Sequence, residues 1–280
     1  MTGFRRLWFG LATVLGLARR GFFIPYRFAA GLTAAGARPP YDAVTRLFAV
    51  HEADFVAVLV RVDYYADALE AIGDAPAPAP RWRQDWFPRL DGAVAYAMVR
   101  DTRPARIVEV GSGHSTRFLA RAVADGGLPT SITAIDPAPR AVIRNLPVQW
   151  LATTLQNAGD APFEGLAAGD MVFIDSSHIF MPGSDVDTLF NRILPALPAG
   201  VRIHIHDIFL PDDYPAAWEW RSYNEQLAVG VLLHGGGSRP LFASHYVATR
   251  KADVVADSAA GRLALDAGAV ESSLWLEKIG

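Results

Sequence analysis

The chain has 280 residues, 51% of them hydrophobic and 20% charged, with a formal net charge of −3, enough for one large domain and an accessory segment. That balance excludes a disordered chain and a basic nucleic-acid-coating one, so no nucleic-acid partner is expected. With no cysteine, disulfides, thiolate metal sites and cysteine nucleophiles are excluded as well.

The first 41 residues carry Arg5, Arg6, Arg19, Arg20, Arg27 and Arg38 and no acid, and Leu7 to Ala18 is uncharged. This run is shorter than the ~20 residues a helix needs to cross a bilayer. A cleaved signal is not expected there. A helix there can lie on an anionic membrane surface, or dock its apolar side on the body or on a second subunit, and the second is the commoner outcome. A cytoplasmic chain is expected, with peripheral membrane contact and homo-oligomerisation both open through this helix. Next, Phe55, Val58, Leu59, Val62, Tyr65, Leu69 and Ile72 recur at helical spacing between Glu52 and the stop at Gly73. The alternating Ala/Pro run from Ala75 to Pro80 is a stiff spacer. It divides an N-terminal helical segment, residues 1–80, from a main domain, residues 81–280.

Beyond the spacer, apolar runs alternate with helical patterns. Ile107 to Val110, Ser131 to Ile135, Val148 to Leu151, Met171 to Ile174 and Val201 to Ile205 read as strands. Alternation of this kind predicts βαβ units and an α/β, doubly wound, mostly parallel sheet. Ser244 to Thr249 and Ser273 to Glu277 are expected to add final strands.

The first strand runs into Glu109-Val110-Gly111-Ser112-Gly113-His114-Ser115-Thr116 and then a helical pattern. Gly111 and Gly113 let the backbone turn tightly against a ligand, and Ser115 or Thr116 can cap the helix. A dinucleotide loop would prefer a third glycine where Thr116 stands. Glu109 suits instead the cationic amino-acid end of S-adenosylmethionine. Asp136, 27 positions after Glu109 and followed by Pro137, falls where doubly wound folds place an acid for ribose hydroxyls. Its alternative is a turn or cap. Gln156 and Asn157 follow the third strand, where an adenine edge would be met.

The fourth strand ends in Asp175-Ser176-Ser177-His178 and the fifth in His206-Asp207. If these strands are neighbours, Asp175, His206 and Asp207 meet beside the crevice and could hold a divalent ion, Mg or Mn by ligand type. Successive strand residues point to opposite faces, so both His206 and Asp207 can ligate only if the strand has broken there. The alternative is a hydrogen-bonded polar cluster without metal. His178 has a pKa range suited to a general base for an acceptor hydroxyl, with a capping histidine as its alternative. His204 reads as a buried histidine bonded to its neighbours.

On these motifs the chain resembles the class I S-adenosylmethionine-dependent methyltransferases over roughly Arg81 to Thr249. The resemblance implies a Rossmann-like sheet of seven strands with the last antiparallel, and S-adenosylmethionine as cofactor at Glu109, Gly111, Ser112, Gly113, Ser115, Thr116, Asp136, Pro137, Gln156, Asn157 and Asp175. It extends to metal-dependent catechol and macrolide O-methyltransferases. That implies Asp175, His206 and Asp207 as magnesium ligands and catalytic roles for His178, Asp175 and Asp207, with His178 standing where the catechol enzymes carry a lysine. Those enzymes have Asp-Asn or an acidic pair where this chain has His206-Asp207. The expected reaction is O-methylation of a small molecule. Phe209, Tyr214, Trp218, Trp220 and Tyr223, followed by Asn224-Glu225-Gln226, read as a lid over a flat or hydrophobic acceptor, and Arg81 to Phe87 as a closure from the other side. A non-catalytic cofactor-binding protein and an iron oxygenase using His178, His206 and Asp175 are the competing readings.

Overall fold

A computed structural model describes residues 3–280 of the chain. Among them, strands β1 (Arg106–Val110), β2 (Ser131–Ile135), β3 (Gln149–Leu151), β4 (Met171–Ile174), β5 (Arg202–Ile205), β6 (Ser238–Ala243) and β7 (Leu274–Lys278) form one sheet of order β3-β2-β1-β4-β5-β7-β6. The pairs among β1 to β5 are parallel, and β7 runs antiparallel to both neighbours. This is the Rossmann-like methyltransferase topology that the motifs imply. The central strands are apolar on both faces because helices cover both, and β4 is buried along its whole length.

The chain before β1 is helical, with α1 (Gly3–Val14), α2 (Asp42–Val50), α3 (Glu52–Asp63), α4 (Ala66–Glu70) and α5 (Arg89–Thr102), and α6 (His114–Gly126) follows β1. The periodicity from Glu52 to Ile72 is interrupted at Tyr64 and Tyr65, which separate α3 from α4. Phe48, Phe55, Leu59, Val62 and Leu69 join the same core as Val94, Phe118 and Phe173, and α3 packs on α5 and β6. The Ala75–Pro80 spacer therefore does not break the core, although the expected boundary lay there.

One strand lies elsewhere than expected. Ser244–Arg250 is a helix, and the strand is the preceding Ser238–Ala243. Pro240 reads as a breaker in sequence, but β6 is an edge strand with an irregularity between Pro240 and Phe242, where proline is tolerated.

Register positions the site. Val110 is paired with both Ile135 and Ile174, and Ile174 with Ile205, so the next residues, Gly111, Asp136, Asp175 and His206, leave the sheet at one level. The strand order reverses direction between β1 and β4, the place where open α/β sheets leave a ligand crevice.

Candidate active site

A crevice of about 960 Å³ opens there, lined among others by Gly111, Ser112, Gly113, Asp136, Pro137, Gln156 and Asp175. Gly111 has φ +80°, and a Cβ on it would stand 1.8 Å from the Asp175 carbonyl oxygen, so only glycine allows the β1 loop to touch the end of β4. Asp136 accepts from the Ser112 amide at 2.8 Å and hydroxyl at 3.0 Å, and from the Ala138 amide at 2.7 Å. It is thus both a turn aspartate and a crevice wall. Gln156 lines the crevice, while Asn157 is exposed outside its lining.

Glu109 is fully buried beneath the loop, where it accepts from Ser115 Oγ and Thr116 Oγ1, each at 2.6 Å. Thr116 Oγ1 in turn accepts from the Gly113 amide at 2.9 Å. These three residues brace the start of α6 from behind rather than lining the crevice. Burial pushes the Glu109 carboxyl up to about 8, helped by the charges of Asp175 and Asp136. The unfolded chain, with a carboxyl near 4.5, therefore loses its proton first as pH rises, and stability falls between those values. Glu109→Gln is expected to flatten that slope by ~2 to 3 kcal/mol between pH 6 and 8.5, read by urea unfolding without cofactor.

His178 sits at the centre of a carboxylate cage. A left-handed backbone, φ 59°, turns its ring inward, where Nδ1 meets Glu225 Oε2 at 2.9 Å and Nε2 lies 3.3 Å from Asp175 Oδ1 and 3.4 Å from Asp207 Oδ2. Burial alone would lower the His178 pKa, but Asp207, Asp175 and Glu225 outweigh it and hold the value well above the ordinary range. The ring is a cation at neutral pH. For Asp175, burial is likewise outweighed, here by the His206 and His178 imidazoles, which keep the carboxyl well below its usual range.

After β5 the chain does break, with Asp207 at φ 57°. Aspartate tolerates that conformation better than most residues. His206 Nε2 lies 3.0 Å from the Trp86 carbonyl, to which it donates, and its pKa is raised because Asp175, Asp207 and Asp91 together exceed the opposing effect of burial. His204 is buried and neutral, with Nε2 2.8 Å from Ser273 Oγ and its ring stacked 3.6 Å from Phe173.

The expected metal does not fit this arrangement. Among the described residues no group of three histidine or acidic side chains is arranged to hold an ion. The imidazole of His178 occupies the gap between the Asp175 and Asp207 carboxylates, and His206 is committed to a carbonyl. The same commitments oppose the iron-oxygenase reading, which needs free nitrogens on His178 and His206.

The aromatic insertion closes the cage. Tyr223 lies 4.5 Å from the His178 ring, and the Arg221 guanidinium stacks 3.7 Å over Trp218. Arg221, Asn224 and Trp86 line the crevice, and Trp218 and Tyr223 line a second cavity. Glu225 was named only within the lid segment and His114 only within the loop motif, and Arg221 was not named at all. Glu225 stands in the first turn of helix Glu225–His234, where an acid is ordinary, and nothing local signals its bond to His178. His114 follows the second loop glycine, lines the crevice, has a buried Nδ1 without a partner, and is lowered to about 4 by burial.

Residues 108–208 match the family model described as "Methyltransferase domain". The match covers about a third of the chain and carries Gly111, Asp136, Asp175 and Asp207. No curated protein sequence matches the chain. Solved structures similar to it include the S-adenosylhomocysteine-bound methyltransferase PaMTH1 of Podospora anserina, at 14% identity and TM-score 0.43, covering 93% of this chain and 100% of that one. The O-methyltransferase TomG of Streptomyces achromogenes, in complex with S-adenosylmethionine, is 16% identical with TM-score 0.42 and coverage of 80% and 90%. An O-methyltransferase of Bacillus cereus in complex with S-adenosylhomocysteine is 13% identical, with TM-score 0.41 and coverage of 80% and 91%.

Proposed function

We propose that the crevice holds S-adenosylmethionine and that its methyl group passes to an oxygen of a small molecule seated under the aromatic insertion. The observation that carries this reading is the row of Gly111, Asp136 and Asp175 at the carboxyl ends of adjacent strands, with Glu109 braced beneath it. Asp136 and Asp175 place carboxylates at the crevice wall, where a sulfonium cation or its ammonium end can meet them. Asp136 would accept from the ribose hydroxyls, and Gln156 with Pro137 and Ser112 would bound the nucleoside.

Transfer is an in-line displacement: the acceptor oxygen bonds to the methyl carbon, the carbon–sulfur bond breaks to leave a thioether, and the hydroxyl proton must go elsewhere. Asp175 faces the crevice and orients the hydroxyl. His178 lies behind the crevice wall, so the proton would reach its Nε2 by way of the Asp175 carboxylate 3.3 Å away, after the ring has given up its own proton to solvent. Asp207 and Glu225 hold the ring in place from its two nitrogens.

Because His178 stands where an ion would bridge the carboxylates, the reaction is expected to be metal-independent. The test uses S-adenosylmethionine labelled in the methyl group and a panel of phenolic and other hydroxyl acceptors. The expected result is label in an ether product, at a rate unchanged by a chelator. Loss of activity with the chelator and recovery with Mg or Mn would restore Asp175, His206 and Asp207 as ligands. Label in no acceptor, despite cofactor binding, would favour a non-catalytic binding role.

A further inference from the structure

The N-terminal arm does not dock its apolar side on the body of the protein. Along α1 and into the turn just past it, the side chains of Phe4, Leu7, Trp8, Leu11 and Leu15 recur at helical spacing, and they are 81%, 61%, 57%, 48% and 66% exposed. The covered part of the helix meets the chain that follows it: Ala12 is buried and its carbonyl accepts from the Leu17 and Ala18 amides, and Phe9 is flanked by the guanidiniums of Arg5 at 5.2 Å and Arg20 at 5.8 Å. Phe22, Phe23 and Ile24 continue the bare apolar surface past the helix. No acid occurs before Asp42 to offset the arginines.

A surface that is apolar in the middle and cationic at its margins asks for an occupant that is apolar and anionic. An anionic bilayer has both properties, with acyl chains to receive the Phe, Leu and Trp side chains and phosphates to meet the arginines. A second copy of the arm would offer apolar side chains but, with no acid before Asp42, no anion to meet the arginines. Among the described residues no helix is long and apolar enough to cross a membrane, so the arm would lie in the headgroup plane. Arg20, Gly21, Phe22 and Ile24 also line the methyltransferase crevice.

We infer that residues 3–24 dock the chain on an anionic lipid surface, with the crevice opening beside it. The docking is independent of the methyl-transfer reading. It is tested by sedimenting the full chain with vesicles of phosphatidylcholine alone, and with vesicles containing about 30% phosphatidylglycerol. The expected result is binding to the second and little to the first, weakened several-fold when salt rises from about 0.1 to 0.5 M. Arg5→Glu with Arg6→Glu should weaken binding roughly 25-fold or more. Leu7→Glu with Leu11→Glu should weaken it at least about tenfold, from the exposed stripe. Each variant should keep the wild-type melting temperature and S-adenosylhomocysteine affinity, which separates failure of docking from failure of the site. Equal binding to both vesicles, or to neither, overturns the inference. So does a dimer in light scattering that Leu7→Glu with Leu11→Glu dissociates while vesicles are ignored, which would make the occupant a second copy.

Discussion

Replacing His178 with alanine is expected to slow methyl transfer by ~100- to 10,000-fold, the range for a lost general base, with S-adenosylhomocysteine affinity kept. Cofactor binding by calorimetry is the control, because the substitution also leaves Asp175, Asp207 and Glu225 without the cation they surround. The sign of the pH dependence follows from the cage. A histidine whose pKa is raised is charged at neutral pH, so its base form is scarce and kcat/KM should climb with pH by up to about tenfold per unit until that pKa is passed. Glu225→Gln removes one of the carboxylates that raise it, and should move the rise to lower pH. A rate that instead falls as pH rises would mean that the imidazolium holds the acceptor by its charge and takes no proton.

The second large effect is expected at Asp136. Its change to alanine should cost ~1.5 to 3 kcal/mol of cofactor affinity if the carboxylate accepts charge-assisted bonds from the ribose. Because Asp136 also holds the Ser112 and Ala138 amides, Asp136→Asn is the companion variant, since it keeps an acceptor for the turn and removes the charge. Calorimetry with S-adenosylhomocysteine should show the asparagine variant weakened as well. An affinity unchanged in both would leave Asp136 with its turn alone.

The parallel core was legible because strands buried on both faces read as short unbroken apolar runs, and Met171 to Ile174 is the plainest of them. The glycine loop was legible because a tight strand-to-helix turn needs residues that few others can replace. What escaped has physical causes. β6 escaped because a position at the sheet's edge tolerates the Pro240 that would exclude a central strand. The division of Glu52 to Ile72 into two helices escaped because apolar spacing continues through Tyr65 although the backbone does not. Ligand types suggested a metal at Asp175, His206 and Asp207, but composition cannot show that a left-handed residue swings the His178 ring between two of them. Glu225 is 47 residues from His178, and only the fold of the aromatic insertion brings them together.

The two rims of the sheet bear on how copies of this chain can meet. A β-sheet rim is an open row of amide and carbonyl groups, and a long flat one can template the addition of another molecule's strand. Here one rim is β3, three residues long, and the other is β6, where Pro240 brings no N–H and the pairing is irregular beside it. Neither offers an uninterrupted ladder, so continuation of the sheet from molecule to molecule is discouraged at both ends. Contacts of this chain with other bodies are thereby directed to its side-chain surfaces, and the protein can carry a bare apolar arm without also carrying an adhesive backbone.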